Sequence, residues 1–240
     1  LENLYYNARF PTGTTEDERV RMSFNIKGIE KIKAVVFDCD GVLFDTAQAN
    51  RMYYNTLLDH FGKPELNDEQ FRLVHMFTVK EAIEYLFSEM DSLDSVYLFM
   101  KQTGYFGFIK YMEPEEGLIE LLDNLKSDGY IRCIATNRTN TMADVLKTHE
   151  MEPCFELVVT AADVKAAKPA PDELLRIMEK LHLMADEILF IGDSEYDQRA
   201  AYGAGTMFVA FKSPSLDAHF HAKSMADIGR VLALKPYEAN

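Results

Sequence analysis

Cysteine is scarce in this 240-residue chain, with Cys39, Cys133 and Cys154 as its three. An odd count without the paired short spacings of thiolate metal sites argues against both a cysteine-held metal and a disulfide. Cys133 and Cys154 are expected as small core residues. Long apolar runs are also missing. No stretch approaches the roughly 18 residues of a membrane span, and the N-terminus lacks an apolar signal core, which predicts a cytoplasmic protein. Positive charge is in deficit: 25 Lys and Arg stand against 39 Asp and Glu, for a formal net charge of -14. That balance disfavours nonspecific attraction to nucleic acid or to an anionic membrane. Internal repeats and low-complexity tracts are absent as well.

What remains is the composition of a soluble globular protein, 48% hydrophobic and 27% charged, long enough for one large domain or a domain with an insertion. Residues 1 to about 30 show no sustained periodicity and are expected as a poorly ordered or surface-wrapped extension. Leu1-Glu2-Asn3-Leu4-Tyr5 looks like the start of a protease-cleavage tag, from which Tyr6-Asn7 departs.

The chain is organised around the run that ends in Phe37-Asp38-Cys39-Asp40-Gly41. Ile32 to Phe37 is nearly all apolar and β-branched or aromatic, the pattern of a strand covered on both faces in a parallel sheet. Such a strand cannot bury an unpaired carboxylate, so Asp38 is placed at its carboxyl end, where open α/β sheets bind ligands. Asp38 and Asp40, two apart, leave an extended chain on the same side, and Gly41 lets the backbone turn away. Two close carboxylates repel unless a cation neutralises them. They suit magnesium, which prefers oxygen ligands and keeps a substrate phosphate in its shell, or a nucleophile toward phosphorus. An ordinary polar turn is the plainer reading of the same residues.

From residue 47 to about 111 the apolar spacing is helical throughout, with no interspersed strand, and predicts a small inserted helical domain. Its aromatic residues, Tyr97, Phe99, Tyr105, Phe106, Phe108 and Tyr111, are expected to form its own core. After Glu113 helix and strand alternate. Strands are predicted at Ile131 to Ala135, Glu156 to Thr160, Glu187 to Ile191 and Thr206 to Phe211. With the first strand these make five βα-type units of a doubly wound parallel α/β sheet, assigning residues 31–46 and 112–240 to the core and 47–111 to the insertion.

Each strand delivers a polar group where it stops. Thr136-Asn137 offers a hydroxyl and backbone donors for a phosphoryl oxygen, or merely a turn. Ala167-Lys168-Pro169 aims a lysine, because proline restricts the residue before it, with Lys165 as a rival three residues earlier. Gly192-Asp193-Ser194-Glu195-Tyr196-Asp197 is a second acidic loop, in which Asp193 and Asp197 lie one helical turn apart. Asp193 or Ser194 could equally cap the next helix.

Taken in this order, the four segments resemble the motifs of the haloacid dehalogenase-like hydrolase superfamily, in its phosphatase-type members with a helical cap, such as phosphoglycolate phosphatases and β-phosphoglucomutases. The resemblance covers roughly residues 31 to 235. It implies a Rossmann-like core and a two-step hydrolysis, with Asp38 attacking phosphorus and Asp40 passing protons. Thr136, Asn137 and Lys168 would hold the phosphoryl group. Mg2+ would be held by Asp38, the Asp40 backbone carbonyl and Asp193, with Asp197 supporting that loop. The substrate implied is a small phosphorylated metabolite, with phosphoglycolate or a sugar phosphate as first guesses.

Dehalogenases of the superfamily lack the second aspartate, so Asp40 argues against halide release. β-Phosphoglucomutases typically carry a histidine where Asn50 stands here, which makes a mutase the lesser alternative, and a silent binding module the least. The cap's specificity loop is expected near His75 to Lys80, with His75, Thr78 and Lys80 as candidate substrate contacts.

Overall fold

The computed structural model describes residues 28–77 and 79–234. The expectations for residues 1–27 lie outside the described residues. The first part of the chain runs β1 (Ala34–Phe37), β2 (Phe44–Asp45), α1 (Ala47–His60), α2 (Asp68–Met76), α3 (Val79–Leu86), α4 (Asp94–Thr103) and β3 (Glu113–Pro114). It continues through α5 (Leu118–Ser127), β4 (Ile131–Thr136), α6 (Met142–Thr148), β5 (Leu157–Thr160), α7 (Asp172–Leu181), β6 (Ile188–Gly192), α8 (Glu195–Ala204), β7 (Met207–Phe211), β8 (Phe220–Ala222) and α9 (Met225–Leu232).

Two compact units result, one holding residues 28–43, 114–140 and 151–234, the other residues 44–113 and 141–150. The first is built on a parallel sheet in the order β5-β4-β1-β6-β7-β8. All four residues of β1 are fully buried, because this strand lies at the centre of the sheet with helices on its faces. Ala34 and Val36 alternate onto the side where Leu174 and Ile177 of α7 and Ala200 and Ala201 of α8 pack. Helices α5 and α9 pack on each other and against β4 and β8. The sheet thus has six strands where five were expected. Phe220–Ala222 is too short to show an alternation of its own and joins the edge only through its pairing with β7.

Register sets the level at which the strands end. Phe37 stands opposite Ile134 of β4 and Ile191 of β6, and the Asp38 amide donates to the Ile191 carbonyl at 2.9 Å. The chain goes from β1 to one side through β4 and β5 and returns to the other through β6, so the strand order reverses beside β1. That switch point is where such sheets open a crevice at their carboxyl ends. The long excursion after β1 is closed at its base, where the Glu115 amide donates to the Leu43 carbonyl at 3.0 Å.

The second unit is helical and packs on its own core of Tyr53, Tyr54, Leu57, Leu58, Phe71, Val74, Ile83, Phe87 and Val96, among others. Of the aromatics expected inside it, Phe99, Tyr105 and Phe108 do pack against this core. Tyr97 and Phe106 instead face outward, Phe106 at 66% exposure. Composition marks aromatic content, but only the helix face decides burial. Helix α2 begins before its apolar stretch because Asn67 and Gln70 form a reciprocal cap, Gln70 N donating to Asn67 Oδ1 at 2.9 Å and Asn67 N to Gln70 Oε1 at 3.2 Å.

Candidate active site

The strand ends of the sheet unit collect most of the polar residues singled out above. Asp38 lies one residue beyond β1, Thr136 ends β4, Asp193 follows β6, and Lys168 comes from the loop between β5 and α7. Lys168 is buried and its ammonium donates to Asp38 Oδ1 at 2.7 Å, Asp197 Oδ1 at 2.7 Å and the Ala135 carbonyl at 3.0 Å. Its three protons are all directed. The rival, Lys165, is exposed. The Lys168–Pro169 peptide is cis, and the Lys168 carbonyl accepts from Asn137 Nδ2 at 3.0 Å.

Asp197 is fully buried and uses both oxygens, Oδ1 toward Lys168 and Oδ2 accepting from Ser194 N at 3.1 Å and Ser194 Oγ at 2.5 Å. Ser194 is the N-cap of α8. The cap and the ion pair are therefore one arrangement: the first turn of α8 is fastened by the same carboxylate that holds the lysine.

Two glycines make the close approach possible. Gly41 has φ 77°, and a Cβ there would strike the Asp193 carboxylate. A Cβ on Gly192 would strike the Asp197 side chain. A larger residue at Gly41 would push the two acidic loops apart, and one at Gly192 would displace Asp197 within its own loop.

Carboxylate oxygens of Asp38, Asp193 and Asp197 all lie within 4.8 Å of one another. Burial raises the Asp38 carboxyl well above the usual range, Lys168 opposing it and the neighbouring acids adding to it. Asp193 is pushed up to about 7, first by burial and then by the charge of Asp197. Burial alone would favour a neutral Lys168, but Asp197 and Asp38 outweigh it and raise its pKa. A set of oxygen donors short of positive charge fits a hard divalent cation, which prefers such ligands. Cys39 is no competitor for nucleophile, since burial first and then Asp40 raise its thiol far above neutrality.

The carboxylate of Asp40 points elsewhere. It is held by Arg138, whose Nε donates to Oδ2 at 2.8 Å and whose terminal nitrogen donates to Oδ1 at 2.6 Å. Thr136 is buried, and its Oγ1 accepts from the Arg138 amide at 3.2 Å. Arg138 follows the Thr136-Asn137 pair and is not marked out by the sequence. The available signal was a cation placed directly after a strand end in a sheet whose other strand ends are acidic. Glu173 is the second residue missed: it is fully buried in the first turn of α7, neither carboxylate oxygen has a hydrogen-bond partner, and burial pushes its carboxyl up to about 7.

The candidates of the specificity loop belong to the helical unit. His75 is exposed, stacks on Phe71 and stands 3.5 Å from Asn50 Nδ2. Lys80 is exposed and pairs with Glu84 at 3.7 Å. Thr78 lies outside the described residues.

A parallel sheet that gathers buried acids and a buried lysine at one end of its strands defines a Rossmann-like α/β enzyme core. The chain belongs to the haloacid dehalogenase-like hydrolase family, which it matches over residues 35–211. It is 27% identical over 211 residues to a phosphorylated carbohydrates phosphatase of Thermotoga maritima, covering 86% of this chain and 96% of that protein. Identity is also 27%, over 183 residues, to the pyrophosphatase PpaX of Bacillus mycoides, covering 75% of this chain and 83% of that one. Among solved structures, a HAD-superfamily hydrolase, subfamily IA, variant 1, from Geobacter sulfurreducens superposes with a TM-score of 0.76 at 35% identity, covering 84% of this chain and 97% of that chain.

Proposed function

We propose that this hydrolase is a Mg2+-dependent phosphatase of small phosphorylated metabolites, with Asp38 as nucleophile. The observation that carries the reading is the position of Asp38, fixed at 2.7 Å from a buried lysine and within 4.8 Å of Asp193 and Asp197. A carboxylate so placed can attack a phosphoryl group whose charge Lys168, Thr136 and Asn137 receive. Asp38, Asp193 and the Asp40 backbone carbonyl would hold the cation, with Asp197 supporting the loop. Once bound, the cation offsets the charge of the converging carboxylates and the phosphoryl oxygens.

In the first half-reaction an Asp38 oxygen bonds to phosphorus, the ester P–O bond breaks, and the leaving oxygen takes a proton from Asp40. In the second, water attacks phosphorus, gives its proton to Asp40, and the bond to Asp38 breaks to free phosphate. The helical unit would serve as the cap, with His75 and Lys80 as contacts for the rest of the substrate. The names of the relatives support a sugar phosphate or another small phosphoryl compound.

The test is phosphate release from a panel of phosphate esters, with Mg2+, with chelator and with Asp38→Asn. We expect release that needs both the metal and Asp38, and a fall below about one thousandth of wild type in the variant, by the scale of covalent catalysis lost. Full release in chelator, or by Asp38→Asn, would overturn the assignment.

A further inference from the structure

Three carboxylates, Asp38, Asp193 and Asp197, converge at the ends of β1 and β6, and a fourth, Asp40, stands two residues past Asp38 with its oxygens turned to Arg138. One buried lysine is shared between two of them. Nothing in that arithmetic keeps Asp40 from swinging toward the same cation, where it would be spent as a counter-ion. What holds it is a second cation on a separate mount.

Arg138 meets Asp40 with two nitrogens on two oxygens, at 2.8 and 2.6 Å, and its side chain is only 10% exposed. The backbone that carries it is tied on both sides. Its amide donates to Thr136 Oγ1 at the end of β4, and its carbonyl accepts from the Ala161 amide, just past β5, at 3.1 Å. A planar fork on a fixed mount sets both the direction and the plane of a carboxylate, which a lysine, as a point charge, does not.

We propose that Arg138 is the positioning residue for Asp40: its fork keeps the carboxylate at the strand ends, apart from the Lys168 cluster and aimed for proton transfer. Both oxygens are engaged at rest, so one arm opens when Asp40 passes a proton, and the other keeps the aim. Arg138 thus acts on the reaction through Asp40 and not through the phosphoryl group. The inference rests on the reading of Asp40 as the acid and base.

The experiment is a double-mutant cycle on phosphate release from the fastest alkyl phosphate of the panel, at saturating Mg2+. Asp40→Asn alone should lower kcat by about 10²–10⁴, the range of a general acid–base group. Arg138→Met should lower kcat by about tenfold or more with KM within about threefold, since binding is not its task. Arg138→Lys, which keeps charge and loses the fork, should recover less than half of that loss. In the Asp40→Asn background, Arg138→Met should change kcat by less than about twofold, because the group it positions is gone.

Wild-type kcat in Arg138→Met overturns the inference. So does an equal fold-loss in the Asp40→Asn background, or a raised KM with kcat intact, which would make Arg138 a substrate contact. If Arg138→Met does not yield folded protein by its thermal transition, Arg138→Lys carries the same cycle and is read against the same outcomes. Wild-type kcat in Asp40→Asn itself is a separate failure, that of the acid and base assignment.

Discussion

Two lysines show how differently the two units use the same residue type. Lys168, in the sheet unit, has a side chain 3% exposed and three acceptors around its nitrogen. Lys80, in the helical unit, is 76% exposed at its side chain and meets one glutamate at 3.7 Å across a helical turn. At its strand ends the sheet unit pairs Asp38 and Asp197 with one buried lysine and Asp40 with an arginine. The helical unit is held by apolar and aromatic packing, with polar contacts that are part-buried or at the surface. Position is therefore fixed by electrostatics in one unit and by shape in the other.

The largest expected effect sharpens that contrast. Lys168→Ala leaves Asp38 and Asp197 buried without their cation, and we expect a loss of about 3–5 kcal/mol in urea unfolding together with near-complete loss of phosphate release. Lys80→Ala should fall within about 0.5 kcal/mol of wild type in the same assay, as exposed helix pairs do. Comparable losses for the two variants would break the comparison.

Next comes a buried acid of the sheet unit whose carboxylate oxygens have no hydrogen-bond partner among the described residues. Glu173 is raised from 4.5 to about 7, chiefly by burial. The folded protein therefore binds the Glu173 proton more tightly than the unfolded chain does, and stability from this group falls as pH rises from about 4.5 to 7. Glu173→Gln cannot ionise. It should match wild type near pH 4.5 and exceed it above pH 7 by up to ~3 kcal/mol, an upper bound from the shift. Parallel stability profiles for variant and wild type would show that Glu173 titrates normally.

A smaller loss than that of Lys168→Ala is expected for a polar contact of the helical unit. Tyr105 donates its hydroxyl to Asn50 Oδ1 at 2.6 Å, while its ring packs on Tyr53 at 5.3 Å. If shape holds this unit, Tyr105→Phe keeps the ring and loses only about 0.5–1.5 kcal/mol, read as a small shift in the thermal transition. A collapse of the transition would mean that the polar contact carries the unit after all.

Much of the sheet was legible because its strands are short apolar runs ending in polar residues, a pattern that survives without any knowledge of partners. Strand β8 was not, since three residues carry no period. Asp38, Asp193 and Asp197 could be listed from strand ends, and the motif resemblance chose Lys168 over Lys165; the fold adds that Lys168 is buried and Lys165 exposed. Arg138 escaped because its partner lies 98 residues away, and a cation after a strand end reads equally well as a turn residue. Glu173 escaped because an acid in the first turn of a helix has an ordinary explanation in the helix dipole. In the helical unit the spacing gave the helices but not which aromatic faces inward, so Phe106 was expected inside and stands outside.

The hydrogen bond between the Glu115 amide and the Leu43 carbonyl has a consequence for how such a chain can vary. The two ends of the excursion over residues 44–113 meet within 3.0 Å, so from β1 that segment is a closed loop, while residues 141–150 join the helical unit by a second connection. Lengthening a closed loop adds little, about 0.6 kcal/mol per doubling. The excursion can therefore be exchanged for one of another size or shape with little strain on β1, and the residues that would choose a substrate can change while those that would do the chemistry stay where the sheet puts them.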